Sequence, residues 1–367
     1  MIRRYFYTEN MNPILEDKSL IHKNQNPIHY LYIYRAPRHN LINPSYPARR
    51  RTTTTPTASS SQAYNIMSIT EVNEYYLVVF ESLPGAGKTT TAENLVPQLR
   101  STLGEDYIVL LNGQEDVETE ELVLTESNDD GVSFIQAVYD RKHLVNQLPM
   151  ILTIGFKFVR DFLDVKQRYP LNPESNKKLV LVYERTIASA AGVFFLVNFF
   201  NARMHPDNTN EVKNRVDGDF EIWRPILNEL VAQSKCLLAG MKTMLCYFKT
   251  HPRRSMDRVE NRGRKYETSG YDLHLACVGY DCHAYFMGEP KEACMTSDDV
   301  KDFIAKNSVK ATDMYDGEKT TIRDYNVDVY FTEDVDQKKK NGVKLTERVA
   351  NDLVDWLNDN QCWNSFQ

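Results

Sequence analysis

"YYLVVFESLPGAGKTTTAENL", Tyr75 to Leu95, decides how the rest of the chain is read. Its first six residues are apolar, β-branched or aromatic, the composition of a buried strand. From Lys88 onward the spacing suits a helix, so a glycine-containing loop stands between strand and helix. The loop nearly matches G-x-x-x-x-G-K-[ST], a phosphate-binding pattern that requires this setting. Gly87, Lys88 and Thr89 are in place, but Ser82 occupies the position of the first glycine. A serine can open the loop there if its φ is negative. Gly85, Ala86, Gly87 and Thr90 complete a cradle whose backbone N–H groups converge on phosphate oxygens, helped by the positive end of the helix. Lys88 would reach the β- and γ-phosphates, and the Thr89 hydroxyl would help hold magnesium. The loop therefore implies ATP and Mg2+.

The chain of 367 residues is long enough for one large domain or two ordinary ones, with 42% hydrophobic and 26% charged residues. Its formal charge of −6 hides an asymmetry: residues 1–66 hold nine Lys/Arg against three Asp/Glu, which leaves −12 on the rest. A body that acidic argues against a general nucleic-acid surface. The most apolar stretch, "IASAAGVFFLVNFF" (Ile187 to Phe200), is short for a bilayer and contains Ser and Asn, so no membrane span is expected. The first residues lack the apolar core of a secretory signal, and six scattered cysteines suit a reducing compartment. The expected location is intracellular, cytoplasmic or nuclear, with the mitochondrion left open by the Arg, Ser and Thr of the first segment. Cys277, Cys282 and His283, with His274 nearby, match no standard zinc module.

Residues 1–70 read as a basic, Ser/Thr-rich disordered arm; "RRRTTTTPTASSSQ" has nothing to bury. Residues 71–367 read as one catalytic domain. Further strands are expected at Tyr107–Asn112, Lys178–Tyr183, Met244–Thr250 and Val327–Thr332, with helical stretches between them. Strand–helix alternation with continuously apolar strands predicts an α/β fold, a parallel sheet covered on both faces. Ligands of such sheets bind beyond the carboxyl ends of the strands. There the second strand leads to Glu115, the third to Glu184 and Arg185, and the fourth to "HPRRSMDRVENRGRKYE". Charges of both signs thus meet at one edge, as phosphoryl transfer requires.

The phosphate loop after the first strand, "YERTIASA" (Tyr183 to Ala190) after the third and "RVENRGRKYE" (Arg258 to Glu267) after the fourth resemble the deoxyribonucleoside kinase family. Within that family the chain resembles the mitochondrial and, more distantly, the herpesvirus thymidine kinases. The resemblance covers roughly residues 75–360 and implies a P-loop kinase with a mobile lid over about residues 252–268. It implies that a carboxylate after the second strand acts as base toward the sugar 5′-hydroxyl. Glu115 is the choice, with Asp116 and Glu118 as neighbours that could take the role. The family's usual P-E-P is Q-E-D here.

By the same resemblance, Arg185 holds the 5′-oxygen and incoming phosphate, while Glu184 positions magnesium. Arg258, Arg262 and Arg264 form the lid over ATP, and Glu267 meets the sugar 3′-hydroxyl. "AVYDRKHLVNQ" nominates Tyr139 for the same hydroxyl and Gln147, or its rival Gln136, for the base. An amide offers a pyrimidine's O4 and N3–H a donor and an acceptor together. Ala190 stands where deoxycytidine and deoxyguanosine kinases carry an aspartate, which leaves room for a thymine methyl. Ala191 departs from an expected arginine. The implied function is ATP-dependent phosphorylation of a deoxynucleoside 5′-hydroxyl, thymidine first, with a homodimer left open. The alternatives are a nucleoside monophosphate kinase and a non-catalytic nucleotide-binding relative.

Overall fold

The structure, a computed structural model, describes residues 69–113, 144, 148–263, 270–315, 317–330 and 335–362. Strands β1 (Glu74–Glu81), β2 (Tyr107–Leu111), β3 (Lys178–Tyr183), β4 (Lys242–Lys249) and β5 (Thr320–Asn326) form one sheet. Its order is β2-β3-β1-β4-β5, and every pairing is parallel. The helices, in chain order among the described residues, begin with α1 (Lys88–Leu103), α2 (Leu148–Arg168), α3 (Ile187–Met204) and α4 (Asn210–Leu238). Then come α5 (Pro252–Asn261), α6 (Leu273–Phe286), α7 (Asp298–Asn307), the single turn α8 (Ala311–Met314) and α9 (Val335–Cys362). This is the expected α/β architecture.

The continuous apolar runs have a simple cause. Successive side chains of a strand point to opposite faces, so a strand covered on both sides needs apolar residues throughout. Tyr75, Leu77 and Val79 of β1 enter one core with Leu179, Leu181 and Tyr183 of β3 and Leu245 and Tyr247 of β4. Tyr76, Val78 and Phe80 enter the other with Val180, Val182, Met244, Cys246 and Phe248. α1 and α9 cover the second face through Leu95, Leu99, Val349, Leu353 and Leu357, all fully buried. Each such leucine contributes about 1.5–3 kcal/mol over an exposed one. α2, α3, α4 and α6 cover the first face.

Two local features depart from regularity. The segment Ala190–Phe194 within α3 winds as a π-helix, with an extra residue in the turn. α3 is also long and apolar enough to cross a membrane, yet 78% of it is buried in the fold, as a core helix would be.

The last strand is a correction. It lies at Thr320–Asn326, and Val327–Tyr330 forms a 3-10 turn in place of the strand expected over Val327–Thr332. β5 is an edge strand that buries only Tyr325, so no apolar run marks it. Asp328 then draws the chain into its turn. Its N–H donates to Asn326 Oδ1 at 3.1 Å, and its carboxylate accepts from Thr250 Oγ1 and the His251 N–H, both at 2.7 Å.

Candidate active site

β1 is the middle strand, flanked by β3 and β4, so its carboxyl end opens at the point where the connections diverge to either side. From there Ser82 to Gly87 lead into α1. Gly85 and Gly87 have φ of +77° and +85°, which favour glycine. A side chain at Gly85 would also press on Arg258 Cβ and Ser255 O, each 3.1 Å from an added Cβ. Ser82 is absent from the positive-φ residues among those described, so it meets the condition for opening the loop. α1 starts on Gly87, which has no side chain to cap the first N–H groups. Those donors are a ready anion site.

The exits of β1 and β3 bring separate motifs together. Thr89 Oγ1 donates to Glu184 Oε2 at 2.6 Å across 95 positions of sequence. The Glu184 N–H donates to Asn112 Oδ1 at 3.3 Å, which ties the exit of β3 to that of β2. Arg185 lays its guanidinium over the Phe194 ring at 4.2 Å. Thr186 caps the start of α3, with its hydroxyl accepting from the Ala188 N–H and Ser189 closing the capping box. The Thr186 hydroxyl also meets Tyr315 OH at 2.6 Å. The three residues Glu184, Arg185 and Thr186 are thereby held by strand, ring and cap.

Lys88 is buried, and its Nζ donates to Ser82 Oγ at 2.6 Å. Burial lowers its pKa well below the lysine range. Arg185 and Arg262 push the same way, while Glu184 and Glu81 oppose them. Arg262 is exposed just past the end of α5. Three cations and two carboxylates share this edge, an excess that suits an anionic ligand.

Sequence reasoning passed over the group beneath. Glu81, the last residue of β1, is fully buried, and burial pushes its carboxyl up to about 7 against the pull of Arg185 and Lys88. Neither of its carboxyl oxygens has a hydrogen-bond partner among the described residues, and the Ser189 hydroxyl donates instead to Thr186 O at 3.0 Å. His283 of α6 lies 3.9 Å from Glu81 Oε2 through its Nε2. Its Nδ1 pairs with Gly279 O at 2.8 Å and so carries the proton. Burial, with Lys88 and Arg185 pushing the same way, holds the ring down to about 3 and therefore neutral. A carboxylate directly after the apolar run Tyr75–Phe80 was the available signal for Glu81.

α5 packs directly on the loop. Ser255 Oγ donates to Pro84 O at 2.6 Å and accepts from Tyr271 OH at 2.7 Å. Arg258 is turned to Asp328 Oδ1 and Thr250 Oγ1, both at 3.1 Å. Holding a phosphate would require it to exchange those partners. Ala190 is buried in the π-wound turn of α3. Thr90 is exposed on the first turn of α1. Glu115, Asp116, Glu118, Gln136, Tyr139, Gln147, Arg264 and Glu267 lie outside the described residues.

The residues present fit the groups the loop implies. Thr89 and Glu184 offer oxygen donors to a hard cation such as magnesium. The uncapped helix start and the glycine cradle fit phosphates. Fold and site together define a P-loop α/β protein.

No family model matches the chain. It is 30% identical over 198 residues to the uncharacterized protein ORF44 of Ostreid herpesvirus 1 (isolate France). That match covers 52% of this chain and 64% of the relative, less than two thirds of the relative's length. Among solved structures it is similar to deoxyadenosine kinase from M. mycoides, with bound dCTP or dATP. Identity is 12% and the TM-score 0.39 in both cases, over 76% of this chain and 99% or 98% of those chains.

Proposed function

We propose that the chain is an ATP-dependent kinase acting on the 5′-hydroxyl of a deoxynucleoside, with thymidine or another pyrimidine deoxynucleoside as acceptor. The observation that supports this best is the meeting of Thr89 and Glu184 at 2.6 Å, with Lys88 and Arg185 close by. Phosphoryl transfer asks little covalent chemistry of the protein and much positioning and charge neutralisation. In this reading Lys88 and the loop amides hold the nucleotide phosphates, and Thr89 and Glu184 hold magnesium. Bound magnesium would neutralise phosphate charge. Arg185, Arg262 and Arg264 face the charge that spreads over the transferring group. Arg258 joins them on leaving Asp328. Glu115 takes the proton of the sugar hydroxyl, Tyr139 and Glu267 orient the sugar, and Gln147 and Ala190 face the base.

The test is ADP release from ATP with each deoxynucleoside in turn and with thymidine monophosphate. Turnover on thymidine or deoxycytidine, absent on the monophosphate, is expected. Turnover on the monophosphate alone would point to a nucleoside monophosphate kinase. No turnover on any acceptor would overturn the catalytic reading.

A further inference from the structure

Ser82 stands where this loop pattern has its first glycine, and it is fully buried. Its hydroxyl hydrogen goes to Leu83 O at 2.8 Å, which leaves the oxygen's lone pairs for Lys88 Nζ at 2.6 Å. The same ammonium makes only long contacts to Ser82 O and Leu83 O, each at 3.4 Å. A lysine has three N–H donors, and all three are engaged at the first two residues of the loop. A phosphate can gain one only by replacing a present partner. The shortest, charge-assisted bond is the one to the serine hydroxyl. A glycine at this position would leave only the two distant carbonyls.

We propose that Ser82 is a positioning residue that holds Lys88 back in the nucleotide-free protein, so that a bound phosphate must displace it. The inference rests on the nucleotide-binding reading above. It makes the serine a brake on ATP affinity built into the loop. Burial and the neighbouring Arg185 already disfavour the ammonium, so the lysine depends on near acceptors, and Ser82 is the nearest.

The experiment uses the full chain as wild type, Ser82→Ala and Ser82→Gly, each also combined with Lys88→Met. Thermal melting first establishes which variants fold, and either Ser82 variant suffices. One readout is MgATP affinity by isothermal titration. The other needs no nucleotide: the rate at which an N-hydroxysuccinimide ester acylates Lys88, followed by peptide mass spectrometry. Loss of the Ser82 hydroxyl should tighten MgATP about fivefold, equivalent to ~1 kcal/mol, and speed acylation by a similar factor. The gain in affinity should vanish on the Lys88→Met background, because a merely structural role for Ser82 would not depend on the lysine. Unchanged acylation, or equal or weaker MgATP affinity in a folded Ser82 variant, overturns the proposal. Faster acylation without MgATP binding by any protein leaves the held lysine standing and overturns the nucleotide-binding reading instead.

Discussion

At the scale of single residues, the proposed function rests most on Lys88. Lys88→Ala should lower ADP release at least ~100-fold while the protein stays folded, since a preorganised cation at a phosphate contributes on that order. Full activity in a folded Lys88→Ala protein would refute the role. Glu81 and His283 make opposite contributions to stability against pH. The Glu81 pKa is raised from 4.5 to about 7, so its contribution is full below 4.5 and is lost as pH rises through 7. The His283 pKa is lowered from 6.5 to about 3, so its contribution is full above 6.5 and is lost as pH falls through 3. In the shared window the two slopes oppose each other. Urea unfolding should therefore show Glu81→Gln gaining on wild type as pH rises from 4.5 to 7, by of order 1–3 kcal/mol. His283→Gln should gain as pH falls from 6.5 toward 3. A difference independent of pH in both variants rules out this buried pair. For the base, Ala190→Asp should shift the kcat/KM ratio from thymidine toward deoxycytidine by about ten- to a hundredfold, since an unmatched polar group costs ~1–3 kcal/mol. An unchanged ratio in an active variant removes Ala190 from the base site.

At the scale of elements, the loop and α5 act together. Ser255 bonds Pro84 O, and Gly85 lets the helix backbone come within contact. Ser255→Ala should cost ~1 kcal/mol in chemical denaturation by leaving the half-buried Pro84 carbonyl without its donor. It should also raise the KM for ATP, because the loop loses its tie to the helix carrying Arg258 and Arg262. A KM equal to wild type, with the stability loss present, would confine Ser255 to folding. The resemblance marks Arg258 to Glu267 as part of a lid, but the placement of Arg258 was not legible from it. Its partners Thr250 and Asp328 lie just past the ends of β4 and β5. Nothing in the spacing of arginines announces a partner 70 residues away.

For the whole molecule, the arm and the domain are read as separate. Deleting residues 1–66 should leave ADP release and melting temperature nearly unchanged, because the stretch that joins the arm to the domain, Arg49 to Gln62, is polar and low-complexity with nothing to bury. A large drop in melting temperature would show that it packs on the domain. The sequence by itself determined the sheet class, four of five strands and the strand–loop–helix that carries Lys88. Those features rest on short continuous apolar runs, on helical spacing of 3.6 residues and on glycines in the loop, which are properties of neighbours along the chain. β5 escaped because an edge strand that buries one side chain needs no apolar pattern. Only the tertiary structure decided that Thr89 meets Glu184, that Ser82 takes the lysine, and that Glu81 faces His283 across a buried gap. Each of those pairs, save Ser82 with Lys88, joins residues from different elements. Even that close pair depends on burial by the surrounding helices, which removes the water that would otherwise solvate the ammonium.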